Sequence, residues 1–192
     1  MQNRLPMGMT TIAIETSDLL ELCRRGDRVA FGQLIGAHHA AALALAQRLL
    51  GNHDDAEDAL QDALLKTHNN LASLRHVAGF RSWFLRIVYH QCLDARRRRQ
   101  TRQGYERAVP PQPLQQPSER ASVAETLARV RAVLEELPAK QRAALHLRVF
   151  EHMAYDEVAA VLGLTSRSAR VYVVKARRHL RQRMGPDLEA SP

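Results

Sequence analysis

Residues 155–183, YDEVAAVLGLTSRSARVYVVKARRHLRQR, decide the fold of this chain. Apolar residues recur at helical spacing on both sides of Gly163, which predicts a short helix, a tight turn over residues 164–166 and a long helix. Two helices that cross closely need a small residue at the crossing, and a sharp bend favours glycine. Ala159 and Gly163, four residues apart, meet both needs. The stretch therefore predicts a helix-turn-helix.

The second helix of this unit is basic throughout. From Val158 to Pro186 the sequence has no acidic residue and seven basic ones. A helix-turn-helix places its second helix in the DNA major groove, where early residues reach bases and later ones meet phosphates. We therefore expect base contacts from Arg167, Ser168 and Arg170, and phosphate contacts from Lys175, Arg177 and Arg178. The alternative is a solvated basic helix of a helical bundle.

Working outward, nearly every periodic segment of the chain predicts a helix, and no strand pattern of any length appears. Asp27 is placed to cap one helix that ends at Gly51, and Ser17 to cap a short one before it. The predicted helices cover residues 18–25, 28–50, 54–71, 80–99, 122–137, 139–150, 155–162 and 166–183.

Residues 101–121 differ in kind from both halves. They contain Pro110, Pro111, Pro113 and Pro117, with glutamines beside them, and such a stretch prefers extended chain to helix. The sequence predicts an all-α fold of two small helical domains joined by a flexible Pro-rich linker. The predicted parts are an N-terminal tail (1–17), a first domain (18–100), the linker, a second domain (122–184) and a C-terminal tail (185–192). From the residues alone, the linker could equally be an inert spacer.

The charge of the chain is concentrated in blocks. Its 192 residues contain 28 Lys and Arg against 20 Asp and Glu, a formal net charge of +8. Residues 75–107 carry +7 and residues 158–192 carry +5, whereas residues 51–74 carry −4. Only three of the basic residues are Lys. The arginine excess fits a GC-rich genome, and it fits recognition of phosphates and bases by guanidinium groups.

Two of these blocks suggest binding surfaces. The basic helix over residues 80–99 includes the only Trp, Trp83, together with Tyr89; aromatic rings beside positive charge suit single-stranded nucleic acid. Asp55, Asp58 and Asp62 in the acidic block share one helix face. Such a face on a basic protein would repel nucleic acid and could dock a basic partner. The plain alternatives are a packed core with a solvated helix end, and an ordinary solvated helix.

The composition excludes several classes. The longest apolar runs, around residues 40–46, are too short to span a bilayer, and residues 1–17 lack the pattern of a signal peptide. Two distant cysteines, Cys23 and Cys92, fit a reducing cytosol better than a disulfide framework. We therefore expect a cytoplasmic protein without stable membrane insertion.

Motifs for catalysis and metal binding are missing from the sequence. His38–His39 and the group of His90, Cys92 and Asp94 lack a third ligand at the spacing that a metal site needs. There is no Gly-rich phosphate loop and no GxSxG. We expect no metal, no cofactor and no enzymatic activity of the chain on its own.

Three blocks together resemble the extracytoplasmic-function (ECF) sigma factors, the small two-domain class of bacterial transcription initiation subunits. Residues 55–66, DAEDALQDALLK, are similar to the family's DAED-xx-QE-xx-L[KR] segment in region two. Residues 80–98 resemble its FRxWL…RIA.N…DxxRR helix. Region four is matched by Leu137-Pro138-x-x-Gln141-Arg142, by residues 155–163 and by Lys175-Ala176-Arg177.

The resemblance implies a role for each block. Asp55, Asp58, Gln61 and Asp62 would dock on the coiled coil of the RNA polymerase β′ subunit. The segment from residue 75 to Arg98 would open the minus-ten promoter element and hold the non-template strand, through Arg81, Trp83, Arg86, Tyr89, His90, Arg97 and Arg98. The six basic and polar residues from Arg167 to Arg178 named above would read the minus-thirty-five element.

Further partners follow from the same resemblance: the β flap of core polymerase, and an anti-sigma factor that controls the chain. The linker would run toward the RNA exit channel. His90 and Arg167 depart from the residues common in the family, which implies unusual promoter preferences. Two alternatives stay open at this point: a helix-turn-helix regulator that acts without polymerase, and a sigma-like protein that sequesters an anti-sigma factor.

Overall fold

A computed structural model describes residues 7–74, 79–103 and 123–185 of the chain. Every regular element in these ranges is helical, as the sequence predicts, and a 3-10 turn, Leu71–Ser73, follows the third helix. The helices are α1 (Met7–Arg24), α2 (Arg28–Leu50), α3 (His53–Asn70), α4 (Phe80–Gln103), α5 (Val123–Glu136), α6 (Ala139–Val149), α7 (Tyr155–Leu162) and α8 (Ser166–Met184).

The first helix is longer than the sequence suggests. It begins at Met7, so the prediction of a helix that starts at residue 18 with Ser17 as its cap is wrong. Serine is a good cap, but it also fits inside a helix, and no Pro or Gly interrupts residues 9–24. Residues 7–17 are thus part of α1 rather than of a tail, whereas residues 1–6 lie outside the described ranges.

Helix α2 has both predicted ends. The Asp27 carboxylate accepts hydrogen bonds from the backbone N–H groups of Val29 (2.8 Å) and Ala30 (3.1 Å). At the other end Gly51 is left-handed, with φ of 83°, and its N–H donates to the carbonyl of Gln47. Both devices satisfy backbone groups that a helix end leaves unpaired.

By length and composition alone α2 could cross a membrane, because its most apolar window has a mean hydropathy of 1.4. The core helix of a globular protein passes the same test. Helix α2 packs against α1, α3, α4 and α6, which is the position of a core helix. Its buried residues are Ala30, Leu34, Ile35, Ala42, Leu45, Ala46 and Leu49.

The helices form two groups that share a boundary. Helices α1 to α4 pack on one another around α2, and helices α5 to α8 form a second group around α8. The groups meet where α4 packs on α7 and α2 packs on α6, and their buried side chains make one continuous apolar cluster. The predicted linker begins inside α4, which runs to Gln103, and residues 104–122 lie outside the described ranges.

The boundary between the two groups, called the domain junction below, contains polar side chains. Arg81 of α4 donates to the carboxylate of Glu151 at 2.7 Å and to the Glu151 carbonyl at 3.0 Å. The Arg48 guanidinium lies 5.5 Å from the centre of the Phe150 ring. His146 stacks on Phe150 and is only 4% exposed. The Arg81–Glu151 and Arg48–Phe150 contacts join residues that are 70 or more positions apart in the sequence, so no local pattern predicts them.

Candidate nucleic-acid interface

The turn between α7 and α8 has the geometry that the sequence predicts. Helix α7 has the predicted bounds, and it ends at Gly163, which adopts a left-handed φ of 65°. The N–H of Leu164 then donates to the carbonyl of Ala159 at 2.9 Å. Ala159 is buried, and α7 packs directly on α8. A residue with a Cβ would be strained at Gly163, because L-residues rarely adopt this conformation.

Polar side chains fix the start of α8. Thr165 caps the helix by accepting a hydrogen bond from the Ser168 backbone N–H, and the two hydroxyl groups lie 3.0 Å apart. The Ser166 hydroxyl donates to the carboxylate of Asp156 on α7. Ser168, predicted to contact bases, is therefore held within the cap of its own helix.

Helix α8 has one buried face and one open face. Ala169, Val173 and Ala176 are buried against the other helices of the second group. The basic residues predicted to contact phosphate, together with Arg167, are all exposed: Arg167, Lys175, Arg177 and Arg178. The open face also contains two apolar residues outside the predicted set of DNA contacts, Val171 and Val174.

Arg170 is exposed but held in place. Its guanidinium lies 4.7 Å from the centre of the Tyr155 ring, and Arg148 approaches the same ring at 4.8 Å. The Arg148 guanidinium also donates to the carbonyl of Met153 at 2.8 Å. Cation–π contacts of this kind restrain a long side chain, so the orientation of Arg170 depends on Tyr155 at the start of α7.

The far end of α8 is attached to α5. Arg183 donates two hydrogen bonds to the Glu136 carboxylate, at 2.9 and 2.5 Å, and His179 lies 3.0 Å from the same carboxylate. The hydrogen bond from Arg183 lowers the pKa of Glu136. These contacts attach the second half of α8 to α5, whereas Ser166 and Arg170 in its first half contact α7.

On α4, three of the residues predicted for the minus-ten element share one open groove of about 520 Å³, called the α4 groove below. Trp83 is half-buried there against Phe80, and Arg86 and His90 are exposed one and two turns further on. Partial desolvation of the ring, together with nearby Arg86, lowers the pKa of His90, so its imidazole is mostly neutral at pH 7. Residues of α3 and of the turn after it form the opposite wall: Lys66, Asn70 and Ser73.

The other predicted minus-ten residues lie elsewhere. Arg81 is bonded to Glu151 at the domain junction, and Tyr89 is only 1% exposed, so the structure places Tyr89 in the core rather than on a surface that could meet DNA. Arg97 lies 3.7 Å from Asp94 on its own helix, and Arg98 lies 3.4 Å from Asp62 on α3. The sequence pattern gave no sign of these partners, apart from the Asp94–Arg97 spacing.

All four residues predicted to dock the polymerase line a second open groove, of about 670 Å³, between α3 and α4. We call it the acidic groove; its walls include Asp54, Asp55, Asp58, Gln61, Asp62, Arg98 and Arg99. Its opening is acidic on the α3 side, where Asp58 and Gln61 are exposed.

Two ion pairs hold the carboxylates of this groove in place. Arg99 lies 3.2 Å from Asp55, and Arg98 pairs with Asp62. Asn52 caps α3 by accepting from the Asp55 N–H at 2.7 Å, and it donates to the Asp55 carboxylate at 2.6 Å. Arg98 thus belongs to the acidic groove as well as to the basic end of α4, a double position that a linear pattern cannot show.

In the part of the chain that the structure describes, no group of three or more His, Cys, Asp or Glu side chains is arranged to hold a metal ion. Cys92, one of the candidates weighed from the sequence, is buried in the core, and burial raises the pKa of its thiol to about 12.

Known families and structures match both groups of helices. The family model described as Sigma-70 region 2 matches residues 34–102, and the one described as Sigma-70, region 4 matches residues 127–180. The ECF RNA polymerase sigma factor SigM of Mycobacterium tuberculosis is 34% identical over 172 residues, which cover 88% of this chain and 84% of that protein.

Two solved structures share the fold. The sigma factor RpoE of Bartonella quintana, in complex with the anti-sigma factor NepR, has a TM-score of 0.68 and 25% identity, and the match covers 82% of this chain and 98% of that one. CnrH, in complex with the cytosolic domain of CnrY, has a TM-score of 0.64 and 27% identity, with 91% and 97% covered. The two matched regions, their order and the fold agree: the chain belongs to the ECF family of RNA polymerase sigma factors.

Proposed function

We propose that this sigma factor docks on core RNA polymerase through the acidic groove, captures melted minus-ten DNA in the α4 groove and reads the minus-thirty-five element with α8. The units that act are the predicted ones, residues 18–100 and 122–184. One observation carries the proposal: all four predicted docking residues line a single groove, on the side of α3 that faces the basic end of α4. The chain would act as a specificity subunit in the cytoplasm, without catalysis of its own.

The docking step rests on the negative charge of the acidic groove. Ion pairs orient two of its carboxylates, and the others stay available to a partner. Asp55 and Asp62 are oriented by Arg99 and Arg98, while Asp58 and Gln61 remain exposed at the opening of the groove. A basic helical element fits such a surface, because complementary charge steers association and fixes register. Family membership points to the β′ coiled coil as that element, and to the β flap as a second contact, made by the second group of helices.

The minus-ten step rests on the chemistry of the α4 groove. The Trp83 ring offers a face for stacking, worth about 1–3 kcal/mol per base in proteins that bind single strands. Arg86 offers charge to the backbone, and the neutral imidazole of His90 offers both a donor and an acceptor to a base edge. Arg81 would join this site only if the domain junction opened, since it is bonded to Glu151 there, and Tyr89 only if its ring left the core.

The minus-thirty-five step rests on α8. Its seven basic residues have no acid among them, and its first half is exposed along one face. Arg167 and Arg170 lie at the start of the helix, where base contacts are made, and Lys175, Arg177 and Arg178 follow where phosphates pass. We also infer that an anti-sigma protein controls this chain, because one structural relative was solved in complex with an anti-sigma factor, and a second with the cytosolic domain of CnrY.

A charge reversal tests the docking step. We expect the double change Asp58→Arg with Asp62→Arg to abolish copurification with core polymerase, because it places two cations where a basic partner must approach. The matched control, Asp18→Arg with Glu21→Arg, makes the same change in charge at exposed positions on α1, outside the groove. It should copurify as the natural chain does. Copurification of the groove variant at the control level would contradict the proposal.

In vitro transcription from a randomised promoter library tests the function as a whole. Core polymerase with this chain should enrich two spaced sequence elements that core polymerase alone does not enrich. Tight binding of duplex DNA by the free chain, with no effect on polymerase, would instead favour a helix-turn-helix regulator.

A further inference from the structure

The open face of α8 contains an apolar pair among its charges. Val171 is 42% exposed and Val174 is 55% exposed. At about 100° per residue, both lie opposite the buried residues Ala169, Val173 and Ala176. Arg167 and Arg178 share this outermost face with the two valines, whereas Arg170 lies to one side, over the Tyr155 ring.

Two exposed valines at these positions suggest that this face of α8 binds a partner. Valine forms helices less well than Ala, Lys or Arg, so helix stability does not favour it at an exposed position. The neighbours on the open face are exclusively basic or uncharged from Arg167 to Arg178, and that charge favours a polyanion over an ordinary protein surface. The partner should therefore be anionic and should also offer apolar groups to the centre of the face.

Duplex DNA has this combination in one place. In the major groove the thymine C5-methyl is the apolar group that distinguishes one base from the others. Residues three apart on a helix differ in height by about 4.5 Å, and successive base pairs by about 3.4 Å, so the two valines reach neighbouring base pairs. The flanking cations meet the phosphates on either side.

We propose that Val171 and Val174 determine sequence specificity by packing on thymine methyl groups of the minus-thirty-five element. This inference rests on the proposed role of α8 and adds to it a preference for thymine at one or two positions. Arg167 and Arg170 would supply the polar base contacts next to these thymines.

Replacing thymine with deoxyuridine removes only the methyl group, which makes a direct test. The minus-thirty-five element enriched from the promoter library is prepared with each thymine replaced in turn by deoxyuridine. Its binding to the holoenzyme, the complex of this chain with core polymerase, is then measured. We expect a loss of about fourfold at one or two positions, the value of one buried methyl group. Val171→Ala and Val174→Ala should each bind the thymine promoter about fourfold less tightly and lose the sensitivity to deoxyuridine at one position.

The controls separate the valines from other exposed apolar residues. Leu127→Ala removes a side chain that is 63% exposed on α5, and it should keep the full deoxyuridine sensitivity. Alanine is a better helix former than valine, so both valine variants should keep their helix content by circular dichroism.

Each outcome decides the matter. A selected element without thymine, or deoxyuridine promoters bound as well as thymine promoters, would overturn the inference and leave the role of α8 intact. Valine variants that keep the sensitivity but lose self-association or binding to a protein regulator would also overturn it, by assigning the face to a protein contact. If the holoenzyme forms but selects no minus-thirty-five sequence at all, the proposed role of α8 itself fails.

Discussion

Helices α4 and α8 are both long and basic, yet their side chains are arranged in opposite ways. On α8 one face is buried and the other is open, with Arg167, Lys175 and Arg178 exposed on it. On α4 several of the predicted DNA-binding residues are already engaged: Arg81 with Glu151, Arg98 with Asp62, and Tyr89 in the core.

The difference comes from where the acidic residues lie in space. Among the described residues, Asp156 is the acidic neighbour of the first half of α8, and its carboxylate bonds Ser166 rather than a basic side chain. Helix α4 runs between α3, which is acidic, and the segment after α6, which contains Glu151. A charge count along the sequence therefore overstates the free positive charge of α4, whereas it describes that of α8 well as far as Arg183, which pairs with Glu136.

The largest effect on stability is expected from Tyr89, the buried tyrosine of α4. Tyr89→Ala should destabilise the chain by about 3–5 kcal/mol, because it removes a large buried ring from a packed core. Tyr89→Phe should restore stability fully. The Tyr89 hydroxyl is buried with no hydrogen-bond partner among the described residues, so removing it relieves a desolvation cost. Chemical denaturation of the three proteins measures both effects.

The same variants test whether Tyr89 meets DNA in the working complex. Tyr89→Phe should open promoters as the natural chain does, at the same rate and with the same minus-ten preference. A Tyr89→Ala chain that is as stable as the natural one, but defective in promoter opening, would show that the ring is exposed in solution. In that case α4 would present Tyr89 to DNA and would resemble α8.

A smaller effect is expected from His146 at the domain junction. Burial lowers its pKa from the ordinary value of 6.5 to about 4, with Arg48 lowering it and Glu151 raising it. The unfolded chain therefore takes up a proton at His146 at higher pH than the folded chain does. Stability should be complete above pH 6.5 and should fall by roughly 3 kcal/mol between pH 6.5 and pH 4 through this residue.

The control is His146→Gln, which keeps a polar side chain but does not titrate. Denaturation midpoints measured from pH 7.5 to pH 4 should fall less steeply for this variant than for the natural chain. Equal slopes would mean that His146 is solvated in solution, and hence that the domain junction is open there.

Local signals predicted the elements well. Asp27 and Gly51 mark the ends of α2, and Gly163 marks the end of α7, because caps and left-handed glycines act on the nearest backbone groups. The incorrect start at Ser17 has the same cause, because it also rests on a local cap signal. Ser17 is a cap signal with no breaker behind it, and the helix continues through it.

For the candidate sites, the sequence predicts residues that share one helix but not contacts between distant segments. The predicted docking residues of the acidic groove all lie on α3, so helical spacing is enough to group its three aspartates, Asp55, Asp58 and Asp62. Arg81 and Glu151 are 70 residues apart and separated by the predicted linker, and no spacing rule pairs them. The predicted DNA contacts omit Val171 and Val174 because they rest on charged and polar residues, although the helical phase from Ala169 places both valines on the open face.

The smallest effect is expected in the salt dependence of promoter binding, which allows a direct comparison of one arginine of α8 with one of α4. Arg178→Ala should reduce the slope of log affinity against log salt by about 0.9, because one cation–phosphate contact is lost. Arg98→Ala should change the slope by less than half as much, because Arg98 is paired with Asp62 and its removal also frees that carboxylate. Both are measured with the holoenzyme on one promoter that carries both elements.

Arg178→Lys is the matched control, since it keeps a cation at the phosphate and should keep the slope. Equal slope changes for Arg178→Ala and Arg98→Ala would mean that the Arg98–Asp62 pair breaks when polymerase occupies the acidic groove. In that event docking would release a cation to the DNA, and α4 would become as open as α8 only within the holoenzyme. A smaller change for Arg98→Ala would mean that the pair persists and that Arg98 serves the polymerase contact.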